Sequence, residues 1–392
     1  MDDIVITGLG AVSCFGRGVE ALWAAMAAAV SEPVAVSDEY ARMPHRKLYA
    51  VPERAIDAEP AAVGELPIGA AGRLAIDAAE QALEDAGAAE TDPDRRAVVV
   101  GSGFGDWRLH ERWRTEGFPD TDSWAPTFSV AAAVGAGLPA RGPNISVSNA
   151  CAAGGYALSL AAELIRSGQA DVVVAGGVET YHRTSMGCFN RLAAVDPVRC
   201  RPFDADRQGT IFGEGAAMLV VESAARAARR PAARSYARLA GSAWSSDGFH
   251  LNAPEPGGTR IERAMRAALA AARIPAAALG CVIPHATGTT LNDAIEARAL
   301  ERVLGAHAPT TPTYSLKGLT GHTGGAAGAF AAVAATMMLE HGTVPPNPPI
   351  GQQDPQCRVW LPRRARRLRQ PSILVNAYGF GGNNVSLVLA AA

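Results

Sequence analysis

Asn144-Ile-Ser-Val-Ser-Asn-Ala-Cys151-Ala-Ala-Gly-Gly-Tyr156 is the stretch on which the reading of this chain turns. An alternating strand runs into Cys151, small residues follow, and a helical pattern continues over 156–167. The thiol therefore sits on a tight strand-to-helix turn at a helix N-terminus. Backbone N–H groups and the helix dipole favour a thiolate there. Its Ala and Gly neighbours let a substrate approach the sulfur closely. Two readings stand on this geometry alone: a nucleophile, or a buried and inert cysteine.

Outward from this turn, short Val/Ile-rich runs alternate with longer Ala/Leu/Arg runs. The strand patterns fall at 5–8, 97–100, 145–148, 172–175, 218–221, 282–284 and 373–375. The helical patterns fall at 19–30, 70–86, 156–167, 261–273, 293–304 and 326–341. This alternation predicts an α/β protein with helices packed on buried sheets. The two halves echo each other. A helix leads to a strand ending Val100-Gly-Ser-Gly103 in the first, and to one ending Pro284-His-Ala-Thr-Gly288 in the second. The echo suggests a duplication, with an N-terminal half over 1–225 and a C-terminal half over 226–392. The Ala/Arg-rich stretch 223–234 is the natural joint.

A chain of 392 residues, 48% hydrophobic and 19% charged, has the composition of a globular protein of about two domain-sized units. A net charge of −2 offers no nucleic-acid footprint. The six cysteines are scattered without a C-x-x-C, which argues against zinc and for a reducing cytoplasm. Met1-Asp-Asp-Ile-Val-Ile-Thr7 is unlike a signal peptide, and no uninterrupted apolar run reaches membrane-spanning length.

Three further segments carry chemistry. Pro284-His285-Ala-Thr287-Gly-Thr289-Thr-Leu-Asn-Asp293 puts a histidine directly after a buried strand, where α/β proteins place ligands. Ser315-Leu-Lys317-Gly-Leu-Thr-Gly321-His322 and the following Thr-Gly-Gly-Ala-Ala-Gly328 flank a Gly-rich turn with a lysine and a histidine. Asn376-Ala-Tyr-Gly379-Phe380-Gly381-Gly-Asn383 surrounds an aromatic ring with glycines whose amides can face a ligand. Taken singly, each is also an ordinary turn or a solvated polar residue. Their conjunction is specific, because each lies next to a strand and supplies a group that thioester chemistry needs.

With these motifs in this order, the chain resembles a β-ketoacyl-acyl-carrier-protein synthase of the elongating, Cys-His-His type. The resemblance also covers Ile4-Val-Ile-Thr-Gly-Leu-Gly-Ala-Val-Ser13, Arg201-Pro-Phe-Asp-Ala-Asp-Arg207 and Phe212-Gly-Glu-Gly-Ala-Ala-Met218. It implies the thiolase fold, a duplicated αβαβα arrangement of five layers with two mixed sheets. It implies a decarboxylative Claisen condensation. Cys151 would carry the acyl group, with its own N–H and that of Phe380 as the oxyanion hole. His285 and His322 would bind the malonyl thioester and stabilise the enolate, and Lys317 would complete the catalytic set. Thr287, Thr289, Gly379 and Gly381 would hold the pantetheine arm, and Phe380 would gate acyl entry. The resemblance calls for no metal and no redox cofactor. It implies an acyl carrier protein as partner and a dimer, homodimeric or with a ketosynthase-like subunit. Arg201, Arg207 and the basic run Arg363-Arg-Ala-Arg-Arg-Leu-Arg369 are candidate carrier contacts, each at least equally readable as a solvated face.

Departures from the family pattern point to a specialised polyketide, polyene or fatty-acid pathway rather than housekeeping elongation. Ala286 replaces a usual Gly, and Ala331 stands where a Glu usually pairs with the lysine. Lys317 then either finds another acid, with Asp293 and Glu296 as candidates, or sits in an environment that differs from the family pattern. A basic cluster before the helix at 70–86 is replaced by Gly64-Glu-Leu-Pro, and a cap over about 103–130 carries Trp107, Trp113 and Trp124. A silent chain-length-factor subunit would lack Cys151. A thiolase would carry a second Cys in a Cys-x-Gly turn, and an initiating synthase would carry Asn in place of His322. A priming or acyl-transfer enzyme that loads Cys151 without condensing stays open.

Overall fold

The structure, a computed structural model, describes residues 3–39, 41–52, 61–64, 66–117, 124–230 and 233–392. Glu65 of the Gly64-Glu-Leu-Pro stretch and parts of the cap and of the 223–234 joint lie outside the described residues. The main strands are β1 (Ile4–Ser13), β2 (Arg96–Gly101), β3 (Asn144–Val147), β4 (Val172–Glu179), β5 (Gly215–Ser223), β6 (Ala237–Ser246), β7 (Cys281–Ile283), β8 (Ser372–Gly379) and β9 (Asn383–Ala390). The helices that build the layers and the site are α1 (Val19–Ala28), α2 (Ala70–Asp85), α3 (Trp107–Glu116), α4 (Ser129–Gly137), α5 (Ala153–Arg166), α6 (Arg183–Arg191), α7 (Thr259–Ala272), α8 (Thr290–Leu304) and α9 (Ala327–His341).

The strands form one sheet in the order β7-β8-β9-β6-β1-β5-β4-β2-β3. Its two mixed halves meet only where Val5 and Ile6 of β1 pair with Arg238 and Ala237 of β6. Each half repeats one pattern. From that joint outward, β1, β5 and β4 are antiparallel neighbours, and β2 and β3 continue parallel. Likewise β6, β9 and β8 are antiparallel, β7 is parallel, and Thr313 bridges β7 in parallel at the fifth place. The duplication is thus written in the strand directions.

Because strand side chains alternate between faces, each Val-rich strand feeds two cores. Val98, Val100 and Val174 pack under α2 and α4, whereas Ala97, Val99 and Val173 face the middle layer. In the second half, Val282, Leu374 and Val388 pack under α7 and α8, and Ile283, Ile373 and Leu389 face the middle. The middle layer is α5 beside α9. Residues 327–338 of α9 are all buried, which explains a helix with no polar stripe. The result is five layers: helices, sheet, helices, sheet, helices.

Two strands and three helices escape the periodicity argument. β6 reads Ala-Arg-Leu-Ala-Gly-Ser-Ala-Trp-Ser-Ser, with no β-branched residue, and is held by its neighbours β9 and β1. β9, the α3 cap helix, α4 and α6 were likewise not predicted. In the cap, Trp113 is buried with Leu109 and Ala125, while Trp107 and Trp124 are exposed.

Glycine sets the distance between α2 and β1. A Cβ on Gly8 would lie 2.0 Å from the Ala82 carbonyl oxygen, and one on Gly10 would lie 1.9 Å from that of Ala78. Gly10→Ala is therefore expected to force the helix off the sheet and lower stability by about 3 kcal/mol, measured by denaturant unfolding.

Candidate active site

β3 ends at Val147, and the chain turns sharply before α5. Ala150 takes a left-handed backbone (φ 47°), a strained elbow directly before Cys151. Cys151 lies in the 3-10 turn Ala150–Ala152 that feeds α5. Beside it runs the loop after β8. A Cβ on Gly379 would lie 2.7 Å from the Asn149 carbonyl oxygen, so only glycine lets that loop approach. The loop is clamped by Asn149 Nδ2 donating to Asn383 Oδ1 (3.0 Å) and Asn383 Nδ2 donating to the Phe380 carbonyl (2.8 Å). The backbone N–H groups of Cys151 and Phe380 both favour the ionised form of the Cys151 sulfur. Burial pushes this thiol up to about 12, opposed by the Lys317 charge. Burial thus opposes the thiolate that the helix end and the two amides favour.

His285 follows β7 and Pro284. Its backbone N–H and that of Ala286 donate to the two carboxylate oxygens of Glu296 on α8, both at 2.8 Å. From the other side, the Lys317 amine donates to the His285 carbonyl oxygen and lies 3.3 Å from the ring Nδ1. A lysine has only donors, so Nδ1 accepts and the ring proton falls on Nε2. His322 is held through its backbone: its N–H donates to the Ile211 carbonyl (2.8 Å), and its carbonyl accepts from Gly213 (3.0 Å). The two imidazoles stand edge to face, 5.4 Å between centroids. Burial, reinforced by the Lys317 charge, holds both well below the usual histidine range, so both are neutral.

Cys151, His285 and His322 line one cavity of about 330 Å³, together with Thr287, Thr289, Gly379, Phe380 and Gly381. The Thr287 and Thr289 hydroxyls are 3.0 Å apart, and Thr289 caps α8. Phe380 stacks on Phe189 of α6 at 5.6 Å, and Phe189 meets Phe212 edge-on at 5.3 Å. Gly381 and Gly382 have φ of 80° and 74°, a backbone that glycine adopts without strain. Cys151, His285, Thr287, Thr289, His322 and Gly379–Gly381, singled out from sequence on four separate loops, are thus brought to one cavity, whereas Lys317 lies behind His285 and outside the lining.

Family models of the beta-ketoacyl synthase N-terminal domain and C-terminal domain match residues 1–227 and 236–350. The chain belongs to the β-ketoacyl synthase family. It is 34% identical to the tetracenomycin polyketide synthase ketoacyl synthase alpha subunit of Streptomyces glaucescens, over 99% of this chain and 96% of the relative. Among solved structures it is similar to the ishigamide ketosynthase/chain length factor, at 32% identity and a TM-score of 0.88 over 100% of this chain and 99% of that one. It is also similar to a type II polyketide synthase acyl-carrier protein in complex with its ketosynthase bound to the hexaketide, at 28% identity and a TM-score of 0.88, covering 100% and 99%.

Against that family background, several expectations need correction. Lys317 forms no ion pair within 4.0 Å among the described residues: Asp293 is taken up by the amides of Phe203 and Gly288, and Glu296 by those of His285 and Ala286. Glu296 still acts on Lys317 through space, opposing the desolvation that lowers the lysine. Arg207 is not a docking residue. Its guanidinium is buried, pairs with Asp354 (2.6 Å) and Asp293 (3.6 Å), and bonds the Thr289 and Thr290 carbonyls. Arg201 pairs with buried Asp196 at 2.8 Å and is 18% exposed. The arginines of 363–369 are exposed, but they precede the start of β8 while Gly379 ends it. Seven strand steps separate those ends by roughly 23 Å, so the run is remote from the cavity.

Sequence reasoning missed Phe189, the Asn149–Asn383 clamp and Glu179. The last accepts from Ser102 Oγ and from the amides of Gly103, Phe104 and Gly325, and burial raises it to about 7. Its one signal was a carboxylate ending the apolar run Val172–Glu179.

Two outcomes are expected. Ala286 is buried with φ 34°, so Ala286→Gly raises stability by about 1 kcal/mol in thermal unfolding. With its thiol at about 12, Cys151 is alkylated by iodoacetamide about tenfold faster per pH unit from about pH 7 to 10, without a plateau, read by peptide mass.

Proposed function

We propose that this chain is a ketosynthase that condenses an acyl group held on Cys151 with malonyl-acyl carrier protein, releasing CO2. The observation that carries this reading is the meeting of Cys151 with two neutral, buried imidazoles at one cavity. The sulfur of Cys151 attacks the carrier-borne acyl thioester, and the carrier thiol leaves with the proton. The amides of Cys151 and Phe380, which lie beside the sulfur, are read as the oxyanion hole for the acyl oxygen. Malonyl-carrier protein then enters. His285, through Nε2–H, and His322 donate to the malonyl thioester oxygen as the C–CO2 bond breaks and its electron pair becomes the enolate. The enolate carbon bonds the acyl carbon, and the Cys151 sulfur leaves and takes up a proton. No metal or redox step enters this sequence.

Lys317 fixes the tautomer of His285, and its charge keeps both rings neutral. Thr287, Thr289, Gly379 and Gly381 are read as the seat of the pantetheine arm, and Phe380 as the gate. The polyketide relatives support a specialised pathway, and the carrier complex among the structural neighbours supports an acyl carrier protein as partner. β3 ends the sheet with an outer edge unpaired among the described residues. We assign that edge to dimerisation, with a second copy or a ketosynthase-like subunit such as the neighbour's chain length factor. No described helix is long and apolar enough to cross a membrane. All six cysteines are free, which supports a cytoplasmic enzyme.

Intact mass spectrometry with acyl- and malonyl-carrier proteins tests the reading. An acyl adduct on the wild type, absent in Cys151→Ala, followed by a product two carbons longer is expected. An adduct without extension moves the assignment to acyl transfer or to a missing partner subunit, and no adduct from any carrier removes the nucleophile role. His285→Ala and His322→Ala should each still load the acyl group, but slow malonyl decarboxylation by about 10²–10³-fold, followed as CO2 release.

A further inference from the structure

We infer that the carrier protein is seated at the cavity mouth by an apolar rim rather than by cations, an inference that rests on the ketosynthase reading. Leu192, Leu251 and Leu291 line the cavity, yet they are 38%, 78% and 61% exposed. They therefore mark where the cavity opens to the surface. They come from three separate places: the end of α6, the loop after β6 and the first turn of α8. Phe249, two residues before Leu251, adds a ring that is 56% exposed. Single exposed leucines are ordinary, but three converging on one opening make a patch.

Charge points the same way. Among the described residues, the lining includes neither Lys nor Arg. Its one carboxylate, Asp247, accepts from Glu255 N–H (3.0 Å) and Asn384 Nδ2 (2.7 Å). Arg201 and Arg207 are held in ion pairs, and the basic run of 363–369 lies at the far end of β8. Arg191, exposed beside Leu192, is the cation nearest to the rim in sequence.

The rim is also placed by the gating loop. Gly381 N–H donates to the Leu251 carbonyl at 2.7 Å, and Asp247 N–H to the Gly382 carbonyl at 3.0 Å. This opening leads to Cys151, so a carrier that delivers a tethered acyl group through it covers the rim. Its contact face is then apolar, and recognition by contact rather than by long-range attraction is insensitive to salt.

The test compares Cys151 acylation from acyl-carrier protein with acylation from an acyl N-acetylcysteamine thioester, which has no protein to dock. The readout is the ratio of kcat/KM for the two donors. Phe249→Ser, and Leu251→Ser combined with Leu291→Ser, are expected to lower this ratio about tenfold. The wild-type ratio is expected to vary less than about threefold between 0.05 and 0.5 M salt. An unchanged ratio in both variants overturns the proposal. So does a ratio that falls steeply with salt and in Arg191→Glu. Wild-type protein that takes no acyl group from either donor overturns the ketosynthase reading itself, and the docking seat with it.

Discussion

The site depends on how closely the two middle helices meet at their N-terminal ends. Cys151 precedes α5 by two residues, and His322 precedes α9 by five. The two ends touch through glycine. A Cβ on Gly154 would lie 2.8 Å from the Gly325 carbonyl oxygen, and one on Gly328 would lie 2.6 Å from the Gly155 nitrogen. A Cβ on Gly325 would in turn strike the Gly103 nitrogen at 2.7 Å. Side chains at these places would part the halves and separate the nucleophile from the second imidazole. Close packing leaves no slack to absorb that. The duplicated sheet supplies the frame: equivalent helices from the two halves fill one layer, and their starts point at one place.

Burying that junction puts charged groups in a medium that disfavours them, and the backbone supplies most of the compensation. Glu179 takes three amides and a hydroxyl, from the loop after β2 and the turn before α9, and so ties the two halves together. Glu296 takes two consecutive amides after β7. Both still rise to about 7, so desolvation exceeds the gain from the hydrogen bonds. The imidazoles respond oppositely: the same burial removes their charge and leaves N–H donors. One environment thus keeps the histidines neutral and the thiol protonated until substrate arrives.

Much of this was legible in the sequence. The α/β layers followed from apolar runs that alternate with Ala-rich helices, and all six predicted helices are present, with ends shifted by up to three residues. The motifs were legible because small residues, His, Lys and Cys stand at strand ends. What escaped was held by partners distant in the chain. β6 is a strand because β9 and β1 flank it, not because of its own residues. Arg207 could be read as a surface cation at the end of the Arg201–Arg207 motif, yet Asp354 and Asp293, 147 and 86 residues away, draw it inside. The burial that pushes the Cys151 thiol up was not legible either, because the helix end can be read locally whereas desolvation depends on the whole cavity.

The departure at Ala331 ties these points together. The family carboxylate is missing there, and Lys317 does not replace it with a direct ion pair. Instead one residue, His285, is gripped from both sides: Glu296 holds its backbone N–H, and Lys317 holds its carbonyl and Nδ1. The opposite charges are bridged by the peptide they position. With no described carboxylate within 4.0 Å of the ammonium, its field falls on the reacting groups themselves. It lowers His285 and His322 and offsets part of the burial of Cys151. Both effects favour the states that the condensation needs, neutral donors and a sulfur closer to ionisation. A small residue at 331 is therefore compatible with a working condensing site, because the lysine acts through His285 rather than through a salt bridge.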